Sequence, residues 1–398
     1  MSKLEELIEE LCPDGVEYKK IKDVYKRLKG TPITAGKMKE IDNPNGEIRI
    51  FAGGKTVINA IEDDIPKANI TRVPSVLVQS RGVIDAVYYD KPFTFKNEMW
   101  AYTAESTIAA KYLYYVLKNN IPYFREAAAG MGALPQISLP VTEEFRIPVP
   151  PLPVQNEIVR ILDNFTELTA ELKLQLTEEL AARKKQYEYY ASKLIMGHNG
   201  GEEYEKVLLG DIADFTYGFT DKARESGTAR FIRITDIGDN GYLKQVDAKY
   251  IELTEASRKY LLKAGNLLMA RTGATYGKTL YMPNNEPSVY ASFLIKITLQ
   301  QNKLLNKFYW HFTRTQYYWE QANKLVSAGG QPQFNTGAIS RVMVPVPPLE
   351  EQQRIVAILD RFDTLCNDIS SGLPAEIAAR TKQYEYYRDK LLTFPERA

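Results

Sequence analysis

The stretch MARTGATYGKTLYM, residues 269–282, holds the residue types from which phosphate-binding loops are built: glycines, threonines and a lysine. The nucleotide loop G-x-x-x-x-G-K-[ST] needs four residues between its glycines, so that successive N–H groups wrap a phosphate. It also opens a helix, whose N-terminus holds the anion. Gly273 and Gly277 stand one residue too close, and Leu280-Tyr281-Met282-Pro283-Asn284-Asn285 reads as a short strand running into a turn. The spacing argues against ATP. Two readings stay open: a glycine-tolerant hairpin with solvated charges, and a loop that approaches some other phosphate.

Other catalytic supplies are thin. His198 lies in a Gly-rich stretch and His311 among aromatics, and with Cys12 and Cys366 they show no metal-ligand spacing. There is no G-x-S-x-G, H-E-x-x-H or G-x-G-x-x-G, and no Asn-Pro-Pro-Tyr type motif for base methylation. The sequence therefore predicts a chain that is not an enzyme by itself, with no catalytic or metal-ligating residues to nominate.

The 398 residues suffice for two or three domains. Charged residues are 25% and hydrophobic ones 44%, as in ordinary globular proteins. The net charge of +1 argues against a polycationic binder, although a balanced total can hide a basic face. Two distant cysteines argue against a disulfide framework, and a reducing cytoplasm fits. The acidic start MSKLEELIEELCPDG is no signal peptide, and no apolar run has membrane-spanning length.

The strongest signal is internal. PPLPVQNEIVRILDNF, 150–165, recurs as PPLEEQQRIVAILDRF, 347–362, and AARKKQYEYYASKL, 181–194, recurs as AARTKQYEYYRDKL, 378–391. Both blocks recur 197 residues later without a gap, and just over half the positions from 150 to 195 are identical. This is a duplicated module rather than a solenoid repeat. The similarity reaches upstream: Leu134-Pro135-Gln136 faces Gln331-Pro332-Gln333 at the same offset. Ser80-Arg81-Gly82 set against Arg271-Thr272-Gly273 needs small gaps and is weaker.

The constant pieces read as helices. Ile158, Ile161, Phe165, Leu168 and Leu172 follow the 3-4 spacing of a coiled-coil seam, continued by Leu176, Leu180, Tyr187, Tyr190 and Leu194. The second copy repeats it from Ile355 to Leu391, with a kink or break expected at Ser370-Ser371-Gly372-Leu373-Pro374. About 40 residues at ~1.5 Å each span about 60 Å. Two such stripes are most simply satisfied by an intramolecular antiparallel pair. The variable pieces look mixed α/β. EIRIFAGG, SVLVQSRG, DAVYYD, ARFIRITDIGDNGYL and NLLMARTG read as strands with turns, and TIAAKYLYYVLKNN and LLNKFYWHFTRTQYYWEQAN as amphipathic helices.

The predicted fold class is α+β: two mixed α/β domains separated by two long antiparallel coiled-coil helices, with internal pseudo-two-fold duplication. The expected boundaries are 1–149, 150–202, 203–346 and 347–398. Two unlike domains held by two like helices form a caliper, suited to DNA half-sites, which dimeric readers place about one turn, ~34 Å, apart.

This pattern resembles the specificity subunit of type I restriction–modification systems over nearly the whole chain. The paired PPLPVQNEIVRIL and PPLEEQQRIVAIL helix starts and the two KQYEYY ends carry the resemblance, with GFTDKARESGTARFIRITDIGDNGYL, RTGATYGKT and GGQPQF in the second domain. The resemblance implies a non-catalytic DNA-reading subunit whose two target recognition domains each read one part of a split asymmetric sequence on double-stranded DNA. It implies helices that dock two modification (methyltransferase) subunits, with restriction (endonuclease/translocase) subunits joining to cleave. AdoMet, ATP and Mg²⁺ would belong to those partners, and this chain would hold no cofactor. The first domain departs from the pattern, with SRGVIDAVYY where the second has RTGATYGKTLY.

Within that reading, Arg271 can pair with guanine O6/N7 or hold a phosphate, and Thr272, Thr275, Tyr276 and Lys278 can contact phosphate or bases. Arg81 is the analogous candidate in the first domain. Gln331, Gln333 and their counterpart Gln136 can read adenine or merely satisfy local backbone. Lys222, Arg224, Arg233 and Lys55 are basic candidates that serve equally well as solvated surface charges. On the KQYEYY ends, Tyr187 and Tyr190 are expected to pack a seam, leaving Lys185, Glu188, Lys382 and Glu385 for partner helices. The run KFYWHFTRTQYYWEQ is expected to be core rather than a base-stacking platform. The competing reading is a scaffold displaying two protein-binding domains, which would show no affinity for duplex DNA. A third, an autonomous nuclease or methyltransferase, needs catalytic residues the sequence does not display.

Overall fold

The structure, a computed structural model, describes residues 2–128, 135–197, 203–327, 332–367 and 372–397. The chain divides into two compact units, Met1–Lys173 with Ala378–Ala398, and Leu174–Ile377.

In the first unit a four-stranded antiparallel sheet runs in the order Lys26–Leu28, Trp100–Thr103, Ser75–Gln79, Asp85–Tyr89. The strand Ser75–Gln79 is buried at every position, which its Ser-Val-Leu-Val-Gln sequence tolerates because β-branched and apolar side chains fill both faces. A second sheet of three strands has Ile48–Phe51 between Val57–Ala60, antiparallel, and Phe93–Phe95, parallel. A pair, Tyr18–Lys20 with Arg146–Pro148, closes the unit. Helix Thr107–Asn119 starts at Ser106, whose hydroxyl accepts the Ala109 N–H, and buries Tyr112, Leu113, Tyr115 and Val116.

The second unit repeats every one of these pairings. Its four-stranded order is Ala213–Tyr217, Leu294–Leu299, Leu267–Ala270, Thr279–Tyr281, all antiparallel. Its three-stranded sheet has Ala229–Ile232 between Tyr250–Ile251, antiparallel, and Ser288–Tyr290, parallel. Its closing pair is Lys206–Leu208 with Met343–Pro345. The diverged domains thus share one topology, strand for strand. The aromatic run is core as expected: Phe308, Tyr309, Trp310, Phe312 and Tyr318 are buried. It forms two helices rather than one, Asn306–Phe312 and Gln316–Leu325, because Thr315 adopts an extended backbone and its buried hydroxyl accepts the Tyr318 N–H as a new N-cap.

The first constant piece is a single helix, Leu152–Met196, of 45 residues. Pro153 sits in its first turn, where a missing N–H costs nothing. The second copy is described as two helices, Leu349–Asn367 and Leu373–Leu392. Within the first unit Phe165 stacks on Tyr387, with ring centroids 5.9 Å apart and planes 4° from parallel. Within the second, Tyr190 stacks on Phe362 at 5.8 Å and 26°. These are the same two repeat positions with their roles exchanged. In the second unit Cys366, one turn beyond Phe362, meets Lys184 and Tyr187, which precede Tyr190, so the two helices run antiparallel.

The seam is uneven along its length. Of the expected seam positions Leu172, Leu176 and Leu180 are partly buried, while Leu168 is 61% and Phe165 39% exposed. Burial concentrates at the two ends: Val154, Ile158, Val159 and Leu162 belong to the core of the first unit, and Tyr187, Ala191, Leu194 and Ile195 to that of the second. The apolar spacing thus serves two purposes: it packs each helix end into a domain, and it brings the helices together at the Phe165–Tyr387 and Tyr190–Phe362 stacks. Expected seam residue Ile369 lies outside the described residues.

The duplicated residues make duplicated joints. Gln155 and Gln352, equivalent by the repeat, are buried and donate through Nε2 to the Pro150 and Pro347 carbonyls, each at 2.8 Å. Asp163 and Asp360, also equivalent, tie the helices to the domains. Asp163 accepts from Tyr115 at 2.6 Å and Lys111 at 2.7 Å. Asp360 accepts from His311 Nε2 at 2.8 Å and lies 3.5 Å from Lys307 Nζ. The equivalent tyrosines complete the joints. Tyr384 bonds Thr166 at 2.9 Å, and Tyr187 donates to His311 Nδ1 at 2.8 Å. Burial pushes His311 down to about 4, so its ring is neutral at pH 7. The second joint alone adds a buried ion pair, Arg314 Nη2 to Asp363 Oδ1 at 2.7 Å. Burial pushes the Asp363 carboxyl up to about 7, opposed by the hydrogen bond it accepts from Asn367.

Candidate nucleic-acid interface

The loop after strand Leu267–Ala270 is a hairpin. It passes a 3₁₀ turn at Gly273–Thr275 and enters strand Thr279–Tyr281, so it opens no helix of the kind a nucleotide loop requires. Gly273 and Gly277 adopt φ of 68° and 77°, a region costly for other residues.

Arg271 leaves this strand half-buried, fixed on three sides. Its Nε donates to the Ser292 carbonyl at 3.1 Å, and its Nη1 lies 3.5 Å from Gln333 Oε1. The guanidinium carbon sits 5.2 Å from the Tyr217 ring centroid and 5.4 Å from that of Phe293. Arg stacks readily on aromatic faces, and such contacts contribute about 0.5–1 kcal/mol at exposed sites. Tyr217 and Phe293 are themselves 42% and 52% exposed. Neither was singled out by sequence, where each reads as an ordinary strand-end aromatic.

The remaining candidates in this domain scatter. Thr272 is buried and bridges backbone to backbone with Gln333, while Gly273 N–H donates to the Pro332 carbonyl at 3.1 Å. Thr275 Oγ1 donates to the Thr272 carbonyl at 3.4 Å. Tyr276 donates to Asn323 Oδ1 at 2.7 Å and packs edge-on against Trp319 and Phe334. Lys278 pairs with Asp239 in a cavity of about 310 Å³ that Lys184 and Glu188 also line, apart from the Arg271 cluster. Arg233 is a loop clamp: it donates to Asp236 through Nε at 3.2 Å and Nη2 at 2.9 Å, and to the Asp247 carbonyl at 2.9 Å. Lys222 and Arg224 are exposed, and Arg224 pairs through its backbone with Tyr250. Gln331 lies outside the described residues.

The first domain builds the same hairpin end with different chemistry. Ile137 N–H donates to the Ser80 carbonyl at 2.9 Å, as Phe334 N–H does to Arg271 at 2.8 Å. Arg81 bridges to Gln136, as Thr272 does to Gln333, and Gly82 N–H donates to the Pro135 carbonyl. The counterpart of Arg271 is therefore Ser80, and Arg81 stands where Thr272 stands. This corrects the expected analogy by one residue, and successive residues of an extended chain point to opposite faces. The parallel bridges Thr31–Lys96 and Phe219–Ala291 extend the match: Lys29 replaces Tyr217, and Glu98 replaces Phe293.

Arg81 nevertheless meets other candidates. Its carbonyl accepts the Gly54 N–H at 3.1 Å, next to exposed Lys55. Glu98 Oε1 accepts the Gly53 N–H at 2.9 Å, and its Oε2 accepts from Lys96 at 2.8 Å. Burial pushes the Glu98 carboxyl up, but Lys96, the Gly53 N–H and the charge of Arg81 together hold it below the usual range. Arg81 thus lies, through its backbone, beside Gln136 and the Gly53-Gly54 turn that precedes Lys55. On the helices, Tyr187 is buried and Tyr190 stacked, as expected, while Lys185, Glu188, Lys382 and Glu385 are exposed. Among the described residues no helix is long and apolar enough to cross a membrane.

The type I restriction modification DNA specificity domain matches this chain twice, over residues 13–182 and 201–379. A putative type I restriction enzyme specificity subunit of Haemophilus influenzae is 35% identical over 317 residues, 76% of this chain and 77% of that protein. The EcoR124I/EcoR124II specificity subunit of Escherichia coli is 35% identical over 298 residues, 72% of this chain and 71% of that protein. A chain solved in work on complex assembly and conformational transition of the type I R-M system shares the fold. Its TM-score is 0.65 at 16% identity, over 96% of this chain and 98% of that one. The HsdS subunit of Thermoanaerobacter tengcongensis gives a TM-score of 0.52 at 15% identity, over 96% and 97%. Two copies of one DNA specificity domain, on one strand topology and joined by duplicated helices, place this chain in the family of type I restriction–modification specificity subunits.

Proposed function

We propose that this specificity subunit is the non-catalytic DNA reader of a methylation and restriction complex, and that each domain reads one half of a split, asymmetric target. One observation carries the reading. The two domains share every strand pairing, yet the same hairpin end presents Arg271, Tyr217 and Phe293 in one and Ser80, Lys29 and Glu98 in the other. One scaffold carrying two chemistries is what unlike half-sites require, since base edges are told apart by donor and acceptor pattern. The long helices set the unread spacer. Exposed Lys185, Glu188, Lys382 and Glu385 offer contacts to two modification subunits, with restriction subunits joining them. AdoMet, ATP and Mg²⁺ act on those partners, in the cytoplasm.

The test is methylation-sensitive sequencing of DNA from cells that express the chain with its modification partner. The expected result is a two-part motif with a constant gap. Inserting one helical turn into both constant segments should change the gap and leave both half-sequences intact. A changed half-sequence with an unchanged gap would overturn the spacer role. Methyl transfer by the purified chain alone, supplied with AdoMet, would overturn the non-catalytic role.

A further inference from the structure

The geometry points to a specific base contact: Arg271, clamped between Tyr217 and Phe293, reads a guanine in the half-target of the second domain. The inference rests on the split-target reading above and adds the base, the residue and the positioning groups. A phosphate needs only charge within reach, and an unconstrained Lys or Arg supplies it. Arg271 is not unconstrained. Its Nε is committed to the Ser292 carbonyl, and two rings hold its plane. Gln333 Oε1 borders Nη1 at 3.5 Å, too long to consume the donors at that end. What remains is the outer Nη edge, a rigid pair of parallel N–H groups, and guanine is the base that offers two adjacent acceptors, O6 and N7, in the major groove.

Exposure supports the same assignment. Rings left 42% and 52% exposed beside a half-buried arginine form an apolar collar that excludes water from the fork once a duplex closes over it. Tyr217 and Phe293 are positioning residues here. In the first domain Ser80, Lys29 and Glu98 occupy these places, so this guanine contact belongs to one half of the target only.

The experiment begins with the motif written by the wild-type chain and its modification partner. A two-part motif whose second-domain half holds a guanine is expected. A two-part motif with no G·C pair in that half overturns this inference alone, whereas no two-part motif overturns the split-target reading and this inference with it. The wild-type complex is then bound to duplexes carrying 7-deazaguanine at each guanine of that half in turn. Loss of N7 should weaken binding about tenfold at one position; equal affinity at every position overturns the contact.

Arg271→Lys keeps the charge and removes the fork, and should relax methylation specificity at that same base pair while leaving the first half intact. Uniform loss with no relaxed position would assign Arg271 to phosphate and overturn the proposal. Tyr217→Leu should relax the same position and Tyr217→Phe should restore it. Indifference to both changes would remove the collar from the mechanism.

Discussion

The two recognition domains agree in every strand pairing and disagree at the end of one hairpin. The second presents an arginine held between exposed rings; the first presents a small serine, with the Glu98 carboxylate nearby, held by Lys96, the Gly53 N–H and the charge of Arg81. The strand pairings are set by backbone hydrogen bonds and buried apolar faces, which many sequences satisfy. The hairpin ends are free of that constraint, so their chemistry can diverge while the sheets stay fixed. The same contrast recurs where each domain meets its helices. One joint uses Tyr115 on Asp163. The other uses neutral His311 on Asp360 and adds the Arg314–Asp363 pair.

That asymmetry makes the second joint the more breakable. Arg314→Met would leave Asp363, 3% exposed, buried without its cation, and should cost about 3–5 kcal/mol in denaturant unfolding of the full chain. Asp363 corresponds by the repeat to Thr166, so the first joint has no such vulnerability to expose. A cost below about 1 kcal/mol would mean the pair contributes little beyond solvated charge.

Acid should find the same difference. His311 in the folded chain lies at about 4, below the ~6.5 of an unfolded histidine. The unfolded chain therefore binds the proton first. The stability this group contributes is present above pH 6.5 and is lost as pH falls from about 6.5 to about 4, by about 3 kcal/mol. Thermal unfolding across that window should show the loss, and His311→Gln should flatten it. An unchanged slope in that variant would place the acid sensitivity elsewhere.

The equivalent glutamines differ by less. Gln352 accepts the Leu305 N–H at 2.9 Å and donates to the Lys303 and Pro347 carbonyls, whereas Gln155 makes only the Pro150 bond among the described residues. Gln352→Ala should cost about 2–3 kcal/mol and Gln155→Ala about 1 kcal/mol by the same unfolding assay. Equal costs would show that the helix-start bond, not the extra contacts, carries the effect.

Smallest of all is the expected effect of Arg224→Ala. Its exposed side chain suits phosphate, so affinity should fall uniformly across sequences and the salt slope should drop by about 1, with no base relaxed.

The duplication, the mixed domains and the helical constant pieces were legible because each is a pattern spread over many residues. Single positions were less so. The near-identity of the helices fixed the offset for Gln136 and Gln333; the weaker gapped alignment already set Ser80 against Arg271, but shared residue type drew the analogy to Arg81 instead. Lys278 read as a free cation because nothing in its neighbourhood announces Asp239 as a partner, whereas Asp236, three residues after Arg233, was a visible partner passed over. The break at Thr315 hid inside an apolar run that continues on both sides of it. Ile158, Phe165 and Leu168 have seam spacing, yet only the first is buried, since periodicity reports a sided helix and not what covers the side.

The helix Leu152–Met196 lends one end to each domain core, and the exposed Leu168 and Leu174 mark its middle. Natural or engineered exchange of recognition halves between related chains would therefore succeed where the crossover falls near Lys173 and again near Ile377, carrying half a rod with each cargo. A crossover at the proline pairs would strip a recipient of four or more of its own interior side chains and hand it a stranger's.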